Sequence, residues 1–222
     1  MINQPKLRFN DRRRREKVEE IRQELHRRAF FRSGHEDLQR AADNDVEAVK
    51  SLTLAYDGWH VGLFVKWVYL MGLSEECLRA ALSSAWLRRH SEVQRAARTR
   101  PELIKWFRAA NFDLSMLPDE VTVWRGTCGI PWEEALCGWS WTTRRSVAAW
   151  FAMRFPHFGS PIVLRRTVKR SEILYFSDSR EESECVLSTI GEFQFDGTPD
   201  EWRRLAKEEI AQRRANRLVR AA

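Results

Sequence analysis

Residues 138–152 read GWSWTTRRSVAAWFA, and the hydrophobic pattern changes its period inside this segment. In an extended chain Ser140 and Thr142 project to one face, while the two neighbouring tryptophans project to the other. From residue 144 onward the apolar side chains recur at helical spacing, which predicts a helix over 144–155. The segment therefore predicts a strand that leads directly into a helix.

The rest of the second half is mostly typical of short strands. Alternation and runs of β-branched or aromatic residues predict strands over 121–124, 139–142, 161–168, 172–176 and 184–189. A basic amphipathic helix is predicted over 201–220.

The first half has the period of helices instead. Helices are predicted over 12–31, 35–54, 59–70 and 74–89, and in a short stretch that begins at Pro101. Asp57-Gly58 predicts a break, Gly72 a helix end and Ser74 an N-cap.

The change from helical to strand period falls after Leu117-Pro118. Helices followed by strands favour an α+β fold over alternating βαβ units. We therefore predict a helical N-terminal domain over 1–117, a β-rich domain over 118–198 and a basic C-terminal helix over 199–222.

Composition limits the class of protein. The chain has 222 residues, 43% of them hydrophobic, with ten tryptophans, which favours a folded globule. Its formal net charge of +7 is typical of proteins with an acidic partner, such as a nucleic acid, an acidic protein or an anionic cofactor. A basic surface can also serve solubility alone.

The four cysteines form no CxxC pair and have no close histidine, so we expect reduced thiols and no metal site. The start, MINQPKLRFNDRRRR, contains no apolar core of a secretory signal. The apolar stretch over 59–73 is too short and too interrupted to span a bilayer. We expect a cytoplasmic protein without a membrane segment.

Two basic runs can contact phosphates or simply form solvated helix faces: residues 12–15, and Arg213 and Arg214 with Arg217 and Arg220. Neither run contains an interleaved aromatic residue, which a stacking platform for bases needs.

The segment VTVWRG over 121–126 places Arg125 at a strand end, followed by Gly126. A guanidinium presents a rigid set of donors that matches phosphate oxygens. Glycine lets a ligand approach the backbone closely. Taken alone, the same arginine can be an ordinary surface residue.

In the segment SREESECVLS over 179–188, Glu182 and Glu184 lie two residues apart, where a polar loop becomes an apolar strand. In an extended chain both carboxylates project to one side. Repulsion between them can raise a pKa into the range useful for acid–base work. The pair can also belong to an ordinary acidic loop, and Arg180 can equally be a neutralising partner for Glu182.

Three features occur in order: an arginine on a strand, hydroxyl residues on a second strand followed by a helix, and Glu-x-Glu leading into a late strand. Over residues 121–189 this order resembles the arginine–serine–glutamate class of ADP-ribosyltransferases, with WSWTTRRSVAAWFA and EESECVL as the most specific segments. The resemblance implies a split β-sandwich with the co-substrate NAD in the cleft between two sheets. The helical first half lies outside it.

The resemblance also implies roles for four residues. Glu184 would stabilise positive charge on the ribose when the nicotinamide–ribose bond breaks, as carboxylates do in other glycosidic cleavages. Ser140 would orient that carboxylate, and Arg125 would bind the pyrophosphate or the adenylate side. Glu182 would accept a proton from the incoming nucleophile.

The other cofactor-binding candidates are Gly126 and Thr142. Trp141 and Phe151 are candidate walls for the nicotinamide ring, or aromatic residues of the core. The chain departs from the family pattern at Trp141, in the middle of the Ser-x-Thr triplet. It departs again in the short loop over 177–181, a loop that helps the family to recognise its acceptor.

The predicted function is that of an NAD-dependent mono-ADP-ribosyltransferase, a glycosyltransferase that releases nicotinamide and modifies a macromolecular acceptor. A protein acceptor is favoured over a nucleic acid, and Glu182 favours arginine as the modified residue. Two alternatives stay open. One is an NAD glycohydrolase that uses water as nucleophile. The other is a catalytically inactive ADP-ribosyltransferase-like fold that acts as a binding module.

Overall fold

A computed structural model describes residues 10–28 and 32–221 of the chain. The expectation about a secretory signal rests largely on residues 1–9, and the predicted end of the first helix on residues 29–31. Both stretches lie outside the described residues.

The chain divides into two compact units, Met1–Asn111 and Phe112–Ala222. The basic C-terminal helix, which the sequence pattern set apart as a third segment, belongs to the second unit. The described part of the first unit is helical, and the second unit contains the strands. This division agrees with the change from helical to strand period of the apolar residues near residue 117.

The described residues of the first unit form six helices: α1 Asn10–Arg28, α2 Arg32–Ala42, α3 Val46–Ala55, α4 Gly58–Met71, α5 Glu75–Ala97 and α6 Arg100–Ala110. The largest side chains of their core include three tryptophans, Trp67, Trp86 and Trp106, each almost completely buried. Burial of such large apolar surfaces is the main stabilising contribution available to a unit of this size.

Local signals set several helix ends in this unit. Gly72 ends α4 in the left-handed conformation, with φ of 71°, and the Ser74 hydroxyl accepts a hydrogen bond from the amide of Cys77 at 3.2 Å. Both predicted caps are therefore confirmed. Helix α5 was predicted to end near Arg89; the backbone does leave helical geometry there, but a further helical stretch follows to Ala97.

The second unit contains six strands and three helices among its described residues: β1 Glu120–Cys128, α7 Trp132–Leu136, β2 Ser140–Thr142, α8 Arg145–Met153, β3 Pro161–Lys169, β4 Ile173–Ser177, β5 Glu184–Leu187, β6 Gln194–Phe195 and α9 Pro199–Ala221. The sequence pattern did not predict α7 or β6, because elements of five and two residues are too short to show a period. The fold class is α+β, as predicted.

The strands form one antiparallel sheet in the order β4-β5-β2-β1-β3-β6. β1 pairs with β3 along its whole length, whereas β1 and β2 share a single pair of backbone partners, Trp124 and Thr142. The sheet thus has two halves, β4-β5-β2 and β1-β3-β6, which meet at one narrow junction. The resemblance implied two separate sheets; the described strands form one sheet with this junction instead.

Two clusters of buried side chains stabilise the second unit. The larger cluster contains Val123, Trp141, Leu164 and Cys185 from four different strands. The smaller cluster joins α8 to β3 and α9 through alanines of α8 and through Trp202. Because alanine side chains are small, the backbone of α8 lies close to the sheet.

No helix in the described part of the chain combines the length and the apolar character needed to cross a membrane.

Candidate functional site

The pairing of β2 with β5 brings two of the predicted site residues together. Thr142 lies directly opposite Glu184, and Ser140 lies opposite Val186. Directly paired residues of an antiparallel sheet, and residues two apart on one strand, project to the same face. Ser140, Thr142 and Glu184 therefore share one face, close to the junction of the two half-sheets.

Trp141 projects to the opposite face of β2. Its side chain belongs to the larger core cluster, and the residue is only 2% exposed. Its indole N–H donates to the carbonyl oxygen of Gly138 at 3.1 Å. This geometry assigns Trp141 to the core and not to a wall around a nicotinamide ring. Phe151 is partly buried, and its ring centroid lies 4.8 Å from that of Trp150.

Arg125 occupies the place where the two half-sheets part. Its backbone pairs with Leu164 in β3, while one terminal nitrogen of its guanidinium donates to the carbonyl oxygen of Ser140 in β2. A methyl group on Gly138 would overlap the guanidinium, so glycine at 138 leaves the room that Arg125 fills. The arginine thus connects β1 to β2 beyond their single backbone pair.

The electrostatic state of Arg125 follows from its burial. Burial lowers the pKa of its guanidinium to about 10, and the negative charge of Glu184 partly opposes this shift. The group stays protonated at neutral pH. Its Nε atom is fully buried and has no hydrogen-bond partner among the described residues. A buried unpaired donor costs free energy, so an incoming acceptor atom would be stabilised there.

Gly126 serves packing in this structure. A methyl group at this position would overlap the backbone carbonyl of Ala148 in α8. The glycine therefore lets α8 approach β1 closely, and its role of making room for a ligand stays a prediction. The direction of its missing side chain, towards the helix, could not be read from VTVWRG.

Both candidate carboxylates are paired with the same arginine. A terminal nitrogen of Arg180 lies 2.9 Å from a carboxylate oxygen of Glu182 and 3.2 Å from one of Glu184. The side chain of Glu184 is only 8% exposed. The alternative in which Arg180 neutralises Glu182 is therefore what the structure shows, and it extends to Glu184.

The pKa of Glu182 is raised above its ordinary value, first because the side chain is largely buried. The charge of Arg180 lowers this pKa, and the charge of Glu184 raises it further. The sequence argument gave repulsion between the glutamates as the cause; burial is the larger one. A carboxylate with a raised pKa exchanges protons closer to neutral pH, which suits a general base.

Thr142 anchors the loop that carries the glutamates. Its hydroxyl donates to the backbone carbonyl of Glu182 at 2.5 Å and accepts from the amide of Arg144 at 3.0 Å. Because the Thr142 hydroxyl makes both of these hydrogen bonds within the protein, Thr142 positions the loop instead of presenting a donor to a ligand.

The same loop has an unusual backbone. Glu181 and Ser183 both have positive φ, 56° and 44°. Side chains disfavour this region, so surrounding contacts must hold it. One such contact is the carboxylate of Asp178, which accepts from the amide and the hydroxyl of Ser183, each at 2.9 Å.

A buried carboxylate in α9 holds the other side of the loop. Glu209 accepts hydrogen bonds from Arg144 at 2.7 Å, from Ser146 at 2.7 Å and from Arg213 at 2.8 Å. Both arginines in turn donate to the backbone carbonyl of Glu181, at 2.9 and 3.1 Å. We call these three residues, Arg144, Glu209 and Arg213, the α9 clamp.

The sequence argument missed the α9 clamp, although one signal was present. Trp202 and Ala206 form the buried stripe of α9, and Glu209 follows at helical spacing on the same stripe. A carboxylate on the apolar stripe of a helix indicates a buried, paired charge. The interpretation of α9 as a basic amphipathic helix overlooked it.

Comparison with known proteins identifies no relative: no family model, no curated protein and no solved structure matches the chain. Within the residues that the structure describes, no cluster of three or more histidine, cysteine, aspartate or glutamate side chains is arranged to hold a metal ion.

Proposed function

We propose that the second unit is an NAD-dependent mono-ADP-ribosyltransferase that modifies a macromolecular acceptor and releases nicotinamide. One observation carries this proposal: where the sheet parts, the Arg125 guanidinium donates to the backbone carbonyl of Ser140 and lies within electrostatic range of Glu184. The narrow junction supports, in the same proposal, an ADP-ribosyltransferase-like fold whose two half-sheets flank the ligand.

Glu184 is the proposed catalytic carboxylate. Cleavage of the bond between nicotinamide and ribose develops positive charge at the ribose carbon. Glu184 is mostly buried at the first position of β5, where strand pairing with Thr142 holds its backbone. A rigidly held carboxylate of low exposure stabilises such a charge without costly reorganisation. Ser140, on the same face, is the proposed positioning residue.

Arg125 is the proposed binding residue for the diphosphate of NAD. The chain fits an anionic group there because the buried Nε of Arg125 has no hydrogen-bond partner among the described residues. Hydrogen bonds between guanidinium and phosphate oxygens are charge-assisted and stronger than neutral ones. The structure thus offers both the charge and the unsatisfied donor that a diphosphate oxygen requires.

One observation favours a second candidate function. Arg180 pairs with both glutamates, and ion pairs of this kind can hold a loop in place without any catalysis. A catalytically inactive fold that binds a partner would keep this ion pair permanently. Incubation with NAD separates the candidates: a transferase yields a labelled macromolecule, a glycohydrolase yields free ADP-ribose, and a binding module yields neither.

Gly138→Ala is expected to weaken NAD binding by about tenfold to a hundredfold, because the new methyl group displaces the Arg125 guanidinium and removes a charge-assisted contact. Titration calorimetry with NAD measures this change. Gly191→Ala is the matched control, since it brings a methyl group against another guanidinium, that of Arg166. Equal affinities for both variants would contradict the assignment of Arg125.

Acceptor labelling is expected to fall as the pH drops towards the raised pKa of Glu182. Only the ionised carboxylate accepts a proton, and a raised pKa means that protonation begins at a higher pH than for an ordinary glutamate. The rate of acceptor labelling, measured across pH, should therefore fall on the acid side, and Glu182→Gln should remove this fall. If the rate of the variant falls in the same way, the pH dependence belongs to another group.

A further inference from the structure

Beside Glu182 lies a cluster of arginine and aromatic side chains. The guanidinium carbon of Arg154 lies 4.9 Å from the ring centroid of Trp150 and 4.9 Å from that of Phe155. The guanidinium carbon of Arg213 lies 4.4 Å from the Trp150 centroid. These distances are typical of cation–π contacts. We call Trp150, Arg154, Phe155, Phe158 and Arg213 the aromatic–arginine surface.

Two rings of this surface are open to solvent. Phe155 is 42% exposed and Phe158 is 64% exposed, and their ring centroids lie 5.6 Å apart. Single exposed apolar side chains are common, but neighbouring exposed rings are more typical of interaction sites.

The exposed segment is fixed to the end of β1. The thiol of Cys128 donates to the carbonyl oxygen of Gly159 at 3.0 Å, and the amide of Gly129 donates to the carbonyl oxygen of Ser160 at 3.1 Å. The rings are therefore displayed from an anchored turn, which lowers the entropy lost when they bind.

The cation of this surface is available to a ligand. The guanidinium of Arg154 makes no hydrogen bond or ion pair with any residue that the structure describes, although it contacts two aromatic rings. Its guanidinium donors can therefore reach an incoming anion without breaking an existing pair. The formal net charge of +7 adds a favourable long-range field for a polyanion.

The surface adjoins the proposed general base. Arg213 donates to the backbone carbonyl of Glu181, the residue before Glu182, at 3.1 Å. The charges of Arg213 and Arg154 both lower the pKa of Glu182, which places them within electrostatic range of its carboxylate. A ligand on this surface therefore lies near the group proposed to activate the nucleophile.

We infer that the acceptor is a single-stranded nucleic acid, bound on the aromatic–arginine surface; this inference rests on the proposed transferase function. Its phosphates meet the guanidinium of Arg154, and its unpaired bases stack on the exposed rings, as in proteins that bind single strands. A duplex keeps its bases stacked inside, so it offers the exposed rings no free base face. The acceptor differs from the protein favoured by sequence alone.

The bonds and the proton of the proposed transfer step can all be accounted for. The bond between nicotinamide and ribose breaks, and its electron pair leaves with the nicotinamide nitrogen. A nitrogen of an unpaired base forms the new bond to the ribose carbon. The proton that this nitrogen loses goes to the carboxylate of Glu182, which is the proposed general base.

Binding is tested first, without NAD, by fluorescence anisotropy of labelled DNA and RNA single strands of about 12 nucleotides. We expect affinity for one or both strands to fall about tenfold in Phe158→Ala and in Arg154→Ala. Phe195→Ala removes an equally exposed ring, at 59% exposure, and Arg204→Ala removes an exposed arginine of α9. Neither control variant should change the affinity.

Three binding results overturn the inference. The first is that neither single strand binds, and the second is that the test and control variants lose affinity equally. The third is that a duplex or an acidic peptide binds as tightly as the single strands, with an affinity that Phe158→Ala does not change. Weaker binding in Phe158→Ala supports it, because loss of a neutral ring does not act through charge.

The transferase function is tested separately, by measuring nicotinamide release and strand labelling in the presence of NAD. Nicotinamide release without labelling of a bound strand overturns the nucleic-acid acceptor and leaves NAD cleavage intact. Strand binding without any nicotinamide release overturns the transferase function and leaves the binding surface intact. Labelling that Phe158→Ala reduces, with nicotinamide release retained, supports both.

Discussion

Glu184→Gln is expected to lower the rate of nicotinamide release by about a hundredfold or more. The amide nearly preserves the shape of the side chain and removes its charge, so the loss reports electrostatic stabilisation of the ribose carbon. The residue is buried and paired across the sheet with Thr142, so its position should survive the substitution. Nicotinamide release is followed by chromatography, and NAD affinity by calorimetry.

Glu182→Gln is the companion variant, and its effect should differ in kind. It should spare nicotinamide release and mainly reduce labelling of an acceptor, because its proposed task is to accept the proton of the nucleophile. Arg180 contacts both carboxylates, so both variants lose an ion pair to the same partner. Equal and mild effects would therefore mean that the pair is only a salt-bridged loop, and the enzyme proposal would fail.

Glu209→Ala is expected to reduce the free energy of unfolding by about 3 kcal/mol or more. The side chain of Glu209 is only 1% exposed, and it accepts bonds from Arg144, Ser146 and Arg213. Removing it leaves both guanidinium groups without their carboxylate partner, with only the backbone carbonyl of Glu181, among the residues that the structure describes, to accept from them. The free energy is measured by urea denaturation of the full chain.

Glu208→Ala is the matched control, one residue earlier in α9. Glu208 is exposed and forms a pair with Arg204 on the same helix, and such pairs contribute only a few tenths of a kcal/mol. Glu209→Gln should recover part of the lost stability, since its amide oxygen can still accept hydrogen bonds. Equal destabilisation by the two alanine variants would show that the α9 clamp does not hold the unit together.

The predictions from sequence were most successful where the cause is local. The left-handed conformation of Gly72 and the hydroxyl cap of Ser74 involve only residues a few positions away along the chain, and both lie where predicted. The sequence also identified Arg180 as a partner for Glu182, because the two are close along the chain.

The roles of single residues were harder to predict, because a residue type does not reveal which way it faces. Gly126 lies against the backbone of α8, and Trp141 lies in the core. Trp150, on the helix predicted over 144–155, contacts two arginines. Each of these outcomes depends on a neighbour from another element.

The sequence by itself determined the two structural classes of the chain, because hydrophobic period, caps and turn residues act over a few positions. It also placed the two glutamates where a loop becomes a strand, and Glu184 is the first residue of β5. Tertiary structure alone decided that β2 lies between β5 and β1, and therefore that Ser140 and Glu184 share a face beside Arg125.

The basic C-terminal run contains no aromatic residue of its own. In the tertiary structure, however, the guanidinium of Arg213 in this run stacks on the ring of Trp150 from α8. The bonds that hold the loop of the glutamates join residues 40 positions apart, from Thr142 to Glu182, and 65 positions apart, from Arg144 to Glu209. Contacts over such separations depend on how strands and helices pack, and local backbone preference carries no information about them.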